Sequence, residues 1–204
     1  NTGTLGTQWV EGAFGRVTMG DVDGADEWAV GDVDGVGLGG LGFHNEMTYQ
    51  SIEHDLGWSY GAQGLTVGVS MDTSVTSGSN MAYGASYTVA VEGVGVTAGV
   101  GKSDVGTASQ TSMGVSATMA GLSATVIHSA DDNGTAADVD ETALSVSYNM
   151  NALTATVFQK DVATTGAADV NYQGVGIAYD LGGATAKLGV MRDDADLQTI
   201  DAGI

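Results

Sequence analysis

The residues best able to do chemistry in this chain are carboxylates, and they are crowded into one segment. Residues 20–51 contain "GDVDGADEWAVGDVDGVGLGGLGFHNEM", which presents Asp21, Asp23, Asp26, Glu27, Asp32, Asp34 and Glu46. No Lys or Arg lies between Arg16 and Lys102 to offset them. Such a set can ligate a hard cation or set up a negative field that draws cations without binding them tightly. Asp21-Val-Asp23 and Asp32-Val-Asp34 have the look of oxygen-ligand pairs, and a Ca²⁺ ion would accept Asp21, Asp23, Asp32 and Asp34 as donors. An EF-hand is excluded, because Ala25 stands where its third ligand is needed and Asp26 where its glycine is needed. Gly35, Gly37 and Gly40 have the spacing of a dinucleotide fingerprint but no strand-turn-helix context. His44, His54 and His128 lack metal-ligand spacing to one another. No nucleophile, base and orienting group can be assembled, so the expectation is a protein that is not an enzyme and has no cofactor beyond that calcium.

The elements that must position these carboxylates read as strands. From Gln173 to Tyr179 the larger apolar residues Val175, Ile177 and Tyr179 alternate with Gly174, Gly176 and Ala178, which is period two. After a turn at Asp180 to Gly183, Ala186, Leu188 and Val190 share one face, and Thr185, Lys187 and Gly189 the other. A partner sheet to cover the apolar face is poorly supplied, because the chain has only three Phe and three Trp in 204 residues. Proline is absent, as suits a backbone whose N–H groups are all needed by neighbouring strands, and cysteine is absent, which removes disulfides and thiolate metal sites. No run of about eighteen apolar residues offers a helical membrane span. Five basic residues against twenty-five acidic ones give a formal charge of −20, which argues against nucleic acid as a partner. The chain opens at Asn1 with no basic leader or apolar h-region, so a signal peptide is expected to be removed or to lie outside it.

Period-two runs between turn signals place strands near Gln8–Glu11, Ala13–Met19, Ile52–Tyr60, Leu65–Met71, Met81–Val89, Val94–Gly101 and Thr111–Met119. They continue at Leu122–Ser129, Thr142–Asn149, Leu153–Gln159, Tyr172–Tyr179, Ala184–Met191 and from Thr199 to the end, thirteen in all. Connections alternate between short ones, such as Gly61–Gly64, Ala90–Gly93 and Ala120-Gly121, and long ones: Asp72–Asn80, Lys102–Gln110, Ala130–Glu141, Lys160–Asn171 and Arg192–Gln198. That alternation is the pattern of an antiparallel up-and-down transmembrane β-barrel, with lipid over the apolar face and water along the small, polar one. Tyr60, Tyr87, Tyr148 and Tyr179 each end a strand before a short turn, where they would form an aromatic girdle on the periplasmic side. Lys102, Lys160 and Arg192 fall where strands enter long loops, on an outer rim facing anionic lipid headgroups. Strand parity turns Arg16 and Lys187 toward the lumen as pore-wall charges. An acidic segment folded into that lumen would narrow it and favour cations.

The stretch "EGAFGRVTMGDVDGADEWAVGD" (residues 11–32) resembles the strands entering the constriction loop of the general porins of alphaproteobacteria. "YQGVGIAYDLGGATAKLGV" (residues 172–190) looks like the last complete hairpin of that family. The resemblance implies a sixteen-stranded, homotrimeric barrel in the outer membrane of a Gram-negative bacterium, in contact with membrane lipid and lipopolysaccharide. It would pass ions and small hydrophilic solutes by passive diffusion. On this reading residues 1–204 are a single, incomplete barrel domain, the thirteen strands are the family's fourth to sixteenth, and residues 20–51 hold the constriction loop, with Asp21 to Met47 folded into the pore. The family usually ends in an aromatic residue, whereas this chain ends at Ile204. Its basic cluster opposite the acidic loop is drawn partly from strands upstream of Asn1. The competing reading is a secreted, acidic, calcium-binding β-solenoid or adhesin, which would need a fixed short repeat that the chain lacks.

Overall fold

The structure, a computed structural model, describes residues 6–48, 54–74, 80–134 and 137–204. Within them the chain forms β1 (Gln8–Gly12), β2 (Gly15–Val22), β3 (His54–Ala62), β4 (Leu65–Met71), β5 (Asn80–Val91), β6 (Val94–Val105) and β7 (Ala108–Met119). It continues through β8 (Leu122–Asp132), β9 (Val139–Met150), β10 (Leu153–Thr164), β11 (Val170–Asp180), β12 (Thr185–Asp193) and β13 (Gln198–Gly203). All thirteen lie in one sheet in chain order, each antiparallel to the next, so the meander expected from periodicity is the observed topology. Residues 52 and 53, the start of the expected third strand, lie outside the described residues. Among the described residues no helix is long and apolar enough to cross a membrane.

Most strands run further than their apolar alternation suggests, and the longest extensions, in β6, β7, β8, β9 and β10, point away from the tight turns. The expected long connection Lys102–Gln110 is corrected to the two-residue link Gly106-Thr107, since Val105 pairs with Ala108. The strict short-and-long alternation therefore fails at this hairpin. The reason is physical: Ser103 and Gln110 are polar yet fully buried on the inner face, so the backbone ladder continues where the hydropathy signal stops. At the opposite end the turns are tight. Gln63-Gly64, Glu92-Gly93 and Ala120-Gly121 each hold positive φ at both central residues, the mirror-image turn that matches strand twist.

The two faces differ as a membrane barrel requires. Outward positions carry exposed Val100, Val115, Val126, Val157, Val175 and Leu188, whereas inward positions carry Ser, Gly and Thr. The apolar core lies inside the curve of the sheet, where Val33, Val36, Leu41 and Met47 of the β2–β3 connection meet Ile127, Ala143, Phe158 and Met191 of the wall. Burial of each such side chain contributes about 1.5–3 kcal/mol relative to exposure. That connection contains two short helices, α1 (Ala25–Val30) and α2 (Gly40–Phe43). Neither is long enough to show helical periodicity in the sequence.

Candidate functional site

Glycine on the inner wall lets the β2–β3 loop lie flat. A Cβ added at Gly84 would collide with the Ala25 carbonyl oxygen, and one at Gly99 with that of Ala29, so α1 rests directly on the backbone of β5 and β6. Further along, Val36 sits 2.8 and 2.9 Å from where Cβ atoms at Gly174 and Gly176 would stand. The loop thus touches β5 and β6 with one part and β11 with another, which requires the sheet to curve around it.

Polar anchors fix its position. The Ala25 N–H donates to Ser70 Oγ (2.8 Å), and the same hydroxyl lies 2.7 Å from His54 Nδ1. Asp34 is clamped to the wall: its N–H donates to Ser145 Oγ (2.9 Å) and its carboxylate accepts from Ser147 (2.6 Å) and Ser123 (3.2 Å). The N–H groups of Leu38 and Gly39 both donate to Asp201 Oδ2 of β13, at 2.7 and 3.0 Å. Lys160 donates to the Glu46 carbonyl (3.1 Å) and pairs with Glu141 (2.9 Å).

The seven carboxylates singled out by sequence therefore divide into different roles. Asp21 and Asp23 are exposed and line a cavity of about 320 Å³ shared with Arg16, Thr18, Trp28 and Ser59. Asp26, in the first turn of α1, is buried against Gly101. Glu27 is half-buried, and that burial, reinforced by Asp23, Asp32, Asp26 and Glu46, pushes its carboxyl up to about 7. Asp32 accepts the Met47 N–H at 2.8 Å; burial raises its pKa, opposed by that hydrogen bond and by Lys160. Asp34 is a structural clamp on β8 and β9, on a different part of the wall from Asp21 and Asp23 beside β2. Among the described residues no group of three or more carboxylate, imidazole or thiol side chains is arranged to hold a metal ion.

Of the five basic side chains, Arg16 packs over the Trp9 ring (4.6 Å). Lys187 shares inner-face parity with Gly189, whose added Cβ would meet Gly37. Lys102 faces outward, paired with Asp104 at 3.0 Å, and Arg192 also faces outward. Lys160 corrects the expectation of an outer-rim position: it alternates with Val157 and Gln159, points inward with Phe158, and is only 5% exposed. Its parity was readable; its acidic partner on β9 and its carbonyl partner in the loop were not. His44 packs 4.2 Å from Tyr172, and burial, with Lys160 nearby, lowers its pKa. Tyr60, Tyr87, Tyr148 and Tyr179 all lie on the outer face near the tight turns, and Trp58 stacks on Tyr60 at 6.5 Å. Tyr83 adds an outward aromatic nearer the other end, opposite Lys102.

The serine anchors and Asp201 escaped sequence reasoning. Their signal was present only as small polar residues at inward positions.

Against known proteins, a family model described as Gram-negative porin matches residues 4–198. Among solved structures, a porin refined at 1.8 Å resolution is similar at TM-score 0.76 and 22% identity, covering 97% of this chain and 79% of that one. The trimer form of OmpT from Vibrio cholerae gives 0.65 at 17% identity, covering 96% and 74%. An engineered variant of the Rh. blastica porin gives 0.66 at 16% identity, covering 98% and 76%. No curated protein sequence matches.

Proposed function

Because the chain belongs to the Gram-negative porin family, and so is an outer-membrane channel for passive diffusion of ions and small hydrophilic solutes, we propose that its β2–β3 loop sets the pore constriction and makes it cation-preferring. The supporting observation is the Glu27 cluster, in which a half-buried carboxyl is raised to about 7 chiefly by burial and then by four neighbouring carboxylates. A concentration of negative charge on the lumenal loop attracts counter-ions and excludes anions. Arg16 and Lys187, exposed on the inner wall, oppose it only in part.

The channel performs no catalysis and couples no energy source. Attraction by the field, without tight ligation, makes a bound cofactor or calcium ion unnecessary to permeation. Three copies assemble as a homotrimer, a reading supported by the trimeric OmpT of Vibrio cholerae among its structural neighbours. Outer-leaflet lipid, including lipopolysaccharide, covers the apolar exterior, and the four tyrosines mark the periplasmic boundary.

Reversal potentials across a planar bilayer under a salt gradient test this reading. Uniform conductance steps with cation preference that falls in Asp23→Asn and Glu27→Gln variants are expected. Anion preference, or preference unmoved by both substitutions, refutes the loop's role.

A further inference from the structure

Beside β2 the lumenal wall carries a cavity of about 320 Å³ lined by groups of unlike chemistry. The register sets them in rows. Arg16, Ser59 and Gly68 lie side by side across β2, β3 and β4, with Thr18 in the next row on one side and Thr66 in the next row on the other. A Cβ added at Gly68 would stand 2.6 Å from the Trp28 ring, so the indole of α1 occupies the space that a side chain would take at the end of that row. The ring is still 38% exposed, and it lies two strand spacings from Arg16, roughly 10 Å. Asp21 and Asp23, where β2 runs into the loop, complete the lining.

Among the described residues, none of Arg16, Asp21 and Asp23 forms an ion pair. Arg16 packs over the Trp9 ring at 4.6 Å, which leaves the edge of its guanidinium available to donate. An ionic solute fits this lining poorly. A metal ion finds no group of three acidic or imidazole ligands among the described residues, an anion meets two aspartates, and a simple cation meets Arg16. An uncharged ring with hydroxyls at its rim and C–H groups on its face fits every part. Its aliphatic face stacks on Trp28, the carboxylates accept from its hydroxyls, and Arg16, Ser59 and Thr66 donate to its oxygens. The volume is at the lower end for small-molecule sites.

We propose that this cavity is a binding subsite for an uncharged mono- or disaccharide, stacked on Trp28 between Arg16 and the aspartates as it passes the constriction. The proposal rests on the channel reading above and gives it a solute class. A weak site there concentrates the solute at the narrowing without retaining it.

Planar-bilayer currents with glucose added to both chambers test this, with mannitol, an open-chain polyol lacking a flat C–H face, as the comparison. Glucose is expected to reduce the current saturably, and mannitol only in proportion to viscosity. Apparent affinity for glucose should fall about tenfold in Trp28→Ala and about threefold in both Trp28→Phe and Thr66→Val. Thr66 lies on β4, so its variant reports on the cavity with the loop in place. A glucose response as linear as that of mannitol overturns the proposal, as does saturable block by glycine at lower concentration than glucose, which would make this a site for zwitterions. Loss confined to Trp28→Ala, with Trp28→Phe and Thr66→Val equal to the parent, also overturns it, because the effect is then one of loop displacement. Conducting channels with a linear glucose response sink the saccharide site alone, whereas a wild-type protein that raises no conductance sinks the channel.

Discussion

Glu27 shows what one side chain does when burial and like charge act together. Its pKa rises from 4.5 to about 7, so the folded loop holds a proton that the unfolded chain releases. Between those values the native state binds more protons, and stability must fall as pH rises through the window. Two outcomes follow for one substitution. In the parent protein, cation preference should climb as pH passes through about 7 and Glu27 ionises, a trend that Glu27→Gln should flatten in reversal-potential titrations. Loop docking, followed by limited proteolysis, should weaken over the same pH range in the parent and much less in the variant. Asp201 acts differently, as an acceptor shared by two N–H groups. Asp201→Ala should remove about 1–3 kcal/mol of loop anchoring and raise single-channel current noise, whereas Asp201→Asn, which keeps an acceptor oxygen, should be quieter.

At the scale of elements, the loop and the wall are complementary surfaces. α1 has two acidic residues in its first turn and no side-chain N-cap, so its six residues draw little stability from their own hydrogen bonds. Contact with glycine backbone on β5 and β6 holds it in place. Gly99→Val should therefore lift α1 from the wall while leaving the strand ladder intact, because the nearest atoms that the added side chain meets belong to Ala29 and Val30 of α1. The expected result is a folded, heat-resistant barrel with altered conductance and faster proteolysis near Trp28. A barrel that fails to assemble would show that the glycine serves strand geometry instead.

For the molecule as a whole, the question is what solvates each side of the sheet. Exposed Val175 and Leu188 alternate with inward Gly176 and Gly189, whose backbone meets the loop. Spin labels at Val175 and Leu188 in reconstituted vesicles should collide preferentially with oxygen, and a label at Thr156 with a water-soluble nickel complex. Aqueous contact at the first two positions would contradict a lipid-facing exterior. The loop also bridges distant strands: it is bound to Ser70 on β4, to Ser145 and Ser147 on β9 and to Asp201 on β13. One connection thus ties β4 and β9 to the β13 edge of the sheet.

The period of two, the glycine turns and the outward tyrosines were legible in the residues because strand pairing between chain neighbours is a local matter, and local alternation encodes it directly. The acidic segment was equally plain, as was the inward parity of Arg16 and Lys187. Strand ends near Ser103 and Gln110 were not, since a ladder covered by a loop stays buried after its hydropathy pattern has ended. Only the folded chain could separate Asp34, a clamp held by serines, from Glu27, a titrating group among carboxylates, or bring Lys160 onto Glu141 and the Glu46 carbonyl. Those distinctions depend on contacts between residues many strands apart, and no short-range spacing records where a loop comes to rest.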